Sequence, residues 1–217
     1  NGVGGLPTRN FRDGVFEGYE KISAEVQMDT ITVDRDTCFG CPIRCKWVVE
    51  VKDDQYPVDR KYGGPEYETV GSFGSCCGVD DIKVTAYASQ LCNAYGLDSI
   101  GAGVTISCAM ECFEHGLLTQ ADTDGIDLRF GNGEAVIAAL KKIIARDGFG
   151  DLLAEGSKRL TDKLGGDASQ YAMQVKGQEI AMHDPRTKYG HALGVAVSPT
   201  GADHMHSVHD TAYQTKP

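Results

Sequence analysis

From residue 80 onward, glycines cut the chain into pieces of helix length, and this punctuation limits the fold more than any single motif. Residues 80–96, DDIKVTAYASQLCNAYG, open on aspartates able to cap a helix and close on Gly96. Residues 99–116, SIGAGVTISCAMECFEHG, run from Ser99 to a stop at Gly116. In 133–148, GEAVIAALKKIIARDG, the residues Val136, Ile137, Leu140, Ile143 and Ile144 recur on one helical face, with Gly148 as the stop. Residues 151–166, DLLAEGSKRLTDKLGG, predict one further helix capped by Asp151. Before these helices, the glycine-rich first thirty residues predict loop and then a short helix, and WVVEV at 47–51 predicts a strand. After them, YAMQVKGQEI predicts a short extended segment, and 183–210 reads as Gly/Pro-punctuated, histidine-rich connection. The expected fold class is therefore mainly α: multihelical, with a few short strands.

The chain has 217 residues, enough for one large domain or two small ones. Its net charge of −10 leaves no basic stripe for nucleic acid. No apolar run approaches the roughly 18 residues of a membrane span, and no leader pattern opens the sequence. The start without Met and the end at YQTKP lead us to expect a piece of a longer protein. The eight cysteines are clustered and no secretory signal accompanies them, which points to a reducing, cytoplasmic compartment and to metal or buried thiols rather than disulfides.

Three of those cysteines stand in CFGCPIRC: Cys38, Cys41 and Cys45, spaced C-x2-C-x3-C, with Pro42 stiffening the loop. Thiolates are soft ligands suited to zinc and iron–sulfur clusters. A zinc knuckle pairs one C-x2-C with a second such pair or a histidine pair, and no second C-x2-C exists here. Radical-SAM loops carry the two gaps in the opposite order. Spacing alone thus favours a cluster and leaves buried thiols plus one zinc as the alternative. Cys76, Cys77, Cys92, Cys108 and Cys112 read as small buried hydrophobes.

Seven motifs follow in order: CFGCPIRC, YGGPEYETVGSFGSCCGVDD, LCNAYGLDSIGAG, AMECFEHGLL, GFGDLLAEGSKR, VKGQEIAMHDPR and SPTGADH. Together they resemble the aldehyde ferredoxin oxidoreductase family of tungsten- or molybdenum-bispterin enzymes. The resemblance implies that residues 1–170 are the family's second domain, with the cluster loop and helices. Residues 171–217 would begin its third domain, and the N-terminal β-rich pterin domain would be absent. It also implies that Cys38, Cys41 and Cys45 hold a [4Fe-4S] cluster whose fourth ligand lies outside this chain.

The same resemblance assigns further residues. NAYGLD matches a pterin motif at Asn93, Leu97 and Asp98, with Asn93 standing where the family usually has aspartate. Glu68 aligns with the active-site carboxylate, a general acid/base, and His204 with the active-site histidine. Thr200 and His206 occupy pterin-phosphate positions where better-known members carry basic residues, so anchoring would shift to groups such as Arg186 or Lys188. Arg44 and Lys46 are candidates for tuning the cluster or bridging to the pterin. Tyr87 and Gln90 replace an E-x-x-H motif that bridges dimers in some members, so any homo-oligomer must form otherwise.

The implied activity interconverts aldehydes and carboxylic acids and passes electrons to ferredoxin or an electron-transfer subunit. These residues alone are expected to be inactive. Two rivals stand beside this reading. One is a non-catalytic zinc or cluster domain that binds a partner. The other is a family member acting on another carbonyl or thioester.

Overall fold

The computed structural model describes residues 1–207, 209 and 210. Short 3-10 turns join the elements α1 (Ala24–Thr30), β1 (Thr32–Asp36), β2 (Lys46–Val49), α2 (Tyr67–Phe73), α3 (Ile82–Tyr95) and α4 (Ser99–Glu114). They continue as α5 (Gly133–Ala145), α6 (Phe149–Leu153), α7 (Ser157–Leu164), β3 (Gln174–Val175), β4 (Gln178–Glu179) and α8 (Tyr189–Val197). The chain is mainly helical with two short antiparallel strand pairs, as expected. No helix among the described residues is long and apolar enough to cross a membrane.

Local chemistry sets the helix ends. The Asp81 side chain accepts from Lys83 N–H, and Gly96 closes α3 at φ 68° and ψ 39°. Asp98 starts α4 by accepting from the amides of Ile100 and Gly101. Two boundaries differ from expectation. Helix α5 stops at Ala145, before Gly148, because Arg146 itself takes the left-handed cap at φ 48°. Its guanidinium is then tied to Asp151 and Glu155 at 2.8 and 3.0 Å. The single helix expected from Asp151 is two, broken at Gly156 with φ 90°. Glycine has no side chain to cap α7, and Glu179 of the β3–β4 hairpin does so instead. Its Oε1 accepts from the Ser157 amide and hydroxyl, both at 2.8 Å.

Helix α4 is the axis of the core. Val104, Ile106, Cys108, Ala109, Met110 and Cys112 are fully buried, and α2, α3, α5, α6, α7 and β4 all pack on it. A helix apolar on every side belongs in the middle of a fold. Gly103 permits the closest of these approaches, since a Cβ there would lie 2.6 Å from Ser72 Cβ on α2. The expected face of α5 is inward: Val136, Ile137, Leu140 and Ile143 are buried and Ile144 partly so. Each fully buried aliphatic side chain contributes about 1.5–3 kcal/mol. The five cysteines outside the loop are buried free thiols, as their setting predicted. Burial pushes Cys76 up to about 11 and Cys92 to about 12, so both stay protonated.

Strands β1 and β2 form an antiparallel hairpin with Asp36 opposite Lys46, which makes the cysteine loop its tip. The β3–β4 hairpin turns through Lys176 and Gly177, both at positive φ (56° and 86°), the conformation a two-residue hairpin turn requires. Two helices were not legible. Helix α2 lies inside the motif YGGPEYETVGSFGSCCGVDD, where no helix was expected, and α8 lies inside the stretch read as connection. The α8 cap comes from afar: Asp210 accepts from the amides of Gly190 and His191 at 2.8 and 2.9 Å.

Candidate active site

The first turn of α2 presents Glu68. Its carboxylate meets the segment that leaves the β3–β4 hairpin, where buried Met182 anchors the chain among Phe11, Cys76 and Val104. The Met182 amide donates to Glu68 Oε2 at 2.7 Å, and the Tyr67 hydroxyl donates to the Met182 carbonyl at 2.6 Å. Next in sequence, His183 brings Nε2 to 2.8 Å from Glu68 Oε1. His204 Nε2 stands 3.9 Å from the same oxygen. One ligand-type atom from each of Glu68, His183 and His204 falls within 4.8 Å of the others. Oε1 is buried and has no aligned hydrogen-bond donor despite its close imidazole neighbours.

Burial pushes the Glu68 carboxyl up, but the His183 ring, the Met182 amide and the His204 charge outweigh it and hold it below the usual range. Burial and the Glu68 charge push Tyr67 up to about 12, so its hydroxyl stays a donor. His191 stacks on His209 and meets the edge of His183. Burial, with the surrounding histidine and Lys188 charges, takes His191 down to about 4. The structure thus joins the two catalytic candidates, Glu68 and His204, and adds His183. No sequence periodicity links positions 68 and 183; the only signal was a histidine inside the motif VKGQEIAMHDPR. Residues 204–206 are irregular turn.

A second hollow, of about 260 Å³, is lined by Leu97, Asp98, Gly101, Thr105, Glu155 and Glu179 among others. Leu97 and Asp98 thus share one hollow, on a wall rich in carboxylates. Such a wall suits the N–H groups of a pterin, so the donor set fits that cofactor. The Asp98 oxygens already cap α4 at 3.0 and 3.2 Å. Asn93 turns aside: it is exposed and its side-chain amide donates to the Tyr62 carbonyl. Thr200 and His206 are brought together, Oγ1 to Nε2 at 2.8 Å, with Asp203 3.3 Å from the same nitrogen. Of the two substitute anchors, Arg186 is committed to fully buried Asp184 at 2.6 Å. Lys188 faces His183 and His209.

The cysteine loop is open. Cys38 and Cys45 are exposed and Cys41 is half-buried, all as free thiols. The Cys41 amide donates to the Cys38 carbonyl at 3.0 Å, a turn within an eight-residue stretch that carries three soft donors. That donor chemistry fits an iron–sulfur cluster. Beside it, Arg35, Arg44, Lys46, Arg60 and Lys61 surround a hollow of about 300 Å³ together with Asp34 and Asp36. Arg44 donates to the Arg35 carbonyl, and the Arg35 guanidinium lies 3.2 Å over the Trp47 ring. Tyr87 and Gln90 serve the fold: Tyr87 packs on Tyr56, and Gln90 bonds Asp59 N–H and the Pro57 carbonyl.

Residues 1–216 match the family model described as aldehyde ferredoxin oxidoreductase, domains 2 and 3. The tungsten-containing aldehyde ferredoxin oxidoreductase of Pyrococcus abyssi is 38% identical over 208 residues, covering 94% of this chain and 33% of the relative. The WOR-like subunit of aliphatic sulfonate oxidoreductase from Pyrococcus furiosus is 29% identical over 204 residues, 91% of this chain and 32% of the relative. Among solved structures, the active-site complex of benzoyl coenzyme A reductase superposes with a TM-score of 0.60 at 27% identity, covering 73% of this chain and 23% of that one. The chain spans about a third of the length of the curated relatives it matches. With the family model running over nearly its whole length, the chain belongs to the aldehyde ferredoxin oxidoreductase family.

Proposed function

We propose that the protein containing this chain interconverts aldehydes and carboxylic acids at a tungsten- or molybdenum-bispterin centre in the cytoplasm. The observation that carries the reading is the meeting of Glu68 and His204 on one carboxylate oxygen, 3.9 Å apart, from distant parts of the chain. Leu97 and Asp98 would hold the pterin, with Asn93 reaching it only after releasing Tyr62. Thr200 and His206 would face its phosphate. Cys38, Cys41 and Cys45 would hold the [4Fe-4S] cluster, flanked by Arg44 and Lys46. A bispterin metal held there would supply two-electron redox chemistry, and a cluster on the three cysteines would supply single-electron transfer toward ferredoxin or a partner subunit.

The chain's own residues handle protons. Oxidation of an aldehyde consumes one water and releases two electrons and two protons. Glu68, ionised near neutrality, takes a proton from the water that adds to the carbonyl. His204 donates a hydrogen bond to the carbonyl oxygen from the same side. Reduction of an acid runs the same transfers in reverse. The division into domain pieces at 170/171 belongs to this reading.

A second reading, reduction of a thioester or another carbonyl, is favoured by the pairing of Thr200 with His206 where better-known members carry basic residues, and by the likeness to the benzoyl coenzyme A reductase complex. The test is a substrate panel on the full-length protein purified without oxygen, read by viologen reduction or oxidation. Turnover of aldehydes supports the first reading. Turnover confined to aromatic thioesters replaces it with the second. Stoichiometric zinc and no turnover would leave a structural, partner-binding domain.

A further inference from the structure

Lys188, at the start of α8, places Nζ 2.9 Å from His183 Nδ1. An ammonium group only donates, so Nδ1 must accept and the ring proton sits on Nε2. That nitrogen is the one 2.8 Å from Glu68 Oε1. The other tautomer would set two lone pairs against each other at that distance. We propose that His183 is a positioning residue, fixed as its Nε2–H tautomer by Lys188, that aims the Glu68 carboxylate and stabilises its ionised form during proton transfer. The inference rests on the acid/base reading of Glu68.

The surroundings favour this role over plain packing. The neighbours Met182 and His183 bracket one carboxylate, the Met182 amide on Oε2 and the His183 ring on Oε1. Only the amide is aligned; Oε1 is buried and, among the described residues, without an aligned donor. Active-site contacts of this kind tighten when substrate closes over them. His183 is nearly enclosed, its side chain 12% exposed. The groups facing it are Tyr67 and Glu68 from α2, Lys188 and His191 from the α8 end, and His204 and His209 from the segment that follows. Burial holds His191 and His209 below the usual histidine range, so both are neutral near pH 7. Of the charged neighbours, Glu68 on the Nε2 side and Lys188 on the Nδ1 side both favour the Nε2–H tautomer, and Lys188 is the one that is not itself the reacting group.

The test uses the full-length holoenzyme and the variants His183→Leu, His183→Gln, Lys188→Met and Glu68→Gln. His183→Leu should lower kcat about tenfold or more with little change in KM. It should also move the acid limb of the kcat profile to higher pH by about one unit, because Glu68 loses a stabilising neighbour. His183→Gln should keep the limb near its original position, since its amide can donate to Glu68 and accept from Lys188. Lys188→Met should move the limb in the same direction as His183→Leu but less. Neutron diffraction from deuterated crystals should show deuterium on His183 Nε2 and none on Nδ1.

An unmoved limb in His183→Leu, equal losses in the Leu and Gln variants, or deuterium on Nδ1 each overturns the inference. Glu68→Gln separates the two levels. If that variant turns over normally, the acid/base reading falls, and the neutron map still judges the Lys188–His183 arrangement. If it is inactive while His183→Leu keeps its limb, only the role of His183 falls.

Discussion

The Glu68 cluster and the cysteine loop, to which the proposed function assigns proton transfer and cluster binding, are built in opposite ways. In the cluster, Glu68, His183 and His204 have side chains only 17%, 12% and 24% exposed. Their positions follow from α2 packing on α4 and from Met182 locked in the core. In the loop, Cys38 and Cys45 are exposed, Ile43 is 70% exposed and Phe39 fully so. Local bonds such as that from Cys41 to Cys38 shape it, and no core residue pins its tip. Proton transfer gains from groups fixed before substrate arrives. Soft metal donors can take their final shape from what they bind, and their binding energy then contributes to folding.

That contrast can be broken first at the loop. Cys41→Ser in the full-length protein should strip iron from about four per chain to near zero and abolish turnover, while the helical core stays folded. Iron analysis and circular dichroism read the two halves. Global unfolding would mean the loop is part of the core after all. Glu68→Gln tests the opposite case. Turnover should fall by about 10²–10⁴ with metal content unchanged. Loss of metal in this variant would make Glu68 a ligand rather than a proton carrier.

Packing changes should be felt only on the cluster side. Leu140→Ala should cost about 2–5 kcal/mol in urea melts. Gly103→Ala, which drives a methyl into Ser72, should cost about 1–3 kcal/mol and weaken activity through α2. Phe39→Ala at the loop tip should stay within about 0.5 kcal/mol. A large effect there would show that the tip is buried in the whole protein.

The smallest expected effect is on pH. The Glu68 carboxyl lies below its usual range in the folded chain. The ionised group therefore adds stability above the ordinary glutamate range, and that part is lost as pH falls through the lower, folded value. Urea melts across this window should be steeper in pH for the parent than for Glu68→Gln. Identical pH dependence would mean that the His183 and Met182 contacts do not persist in solution.

Sequence periodicity and capping residues revealed the core helices because those signals are local: Asp81, Gly96, Asp98 and the Val136–Ile143 face all act within a few residues. The splits at Arg146 and Gly156 were missed because their stabilising partners are Asp151, Glu155 and distant Glu179. Helix α8 escaped for the same reason, its cap being Asp210. At the site, the family resemblance pointed to Glu68 and His204, but the ring that lies 2.8 Å from Glu68 is that of His183, delivered by a hairpin whose strands are two residues each. Likewise Arg186 read as a free cation until the fold placed Asp184 against it.

Metal and sulfide analysis with EPR on the full-length protein, purified without oxygen, decides whether these two regions serve one redox enzyme. One redox enzyme should hold tungsten or molybdenum near one per chain and about four irons with matching sulfide, and give a signal from the reduced cluster. Zinc alone, with neither tungsten nor molybdenum and no cluster signal, would contradict it.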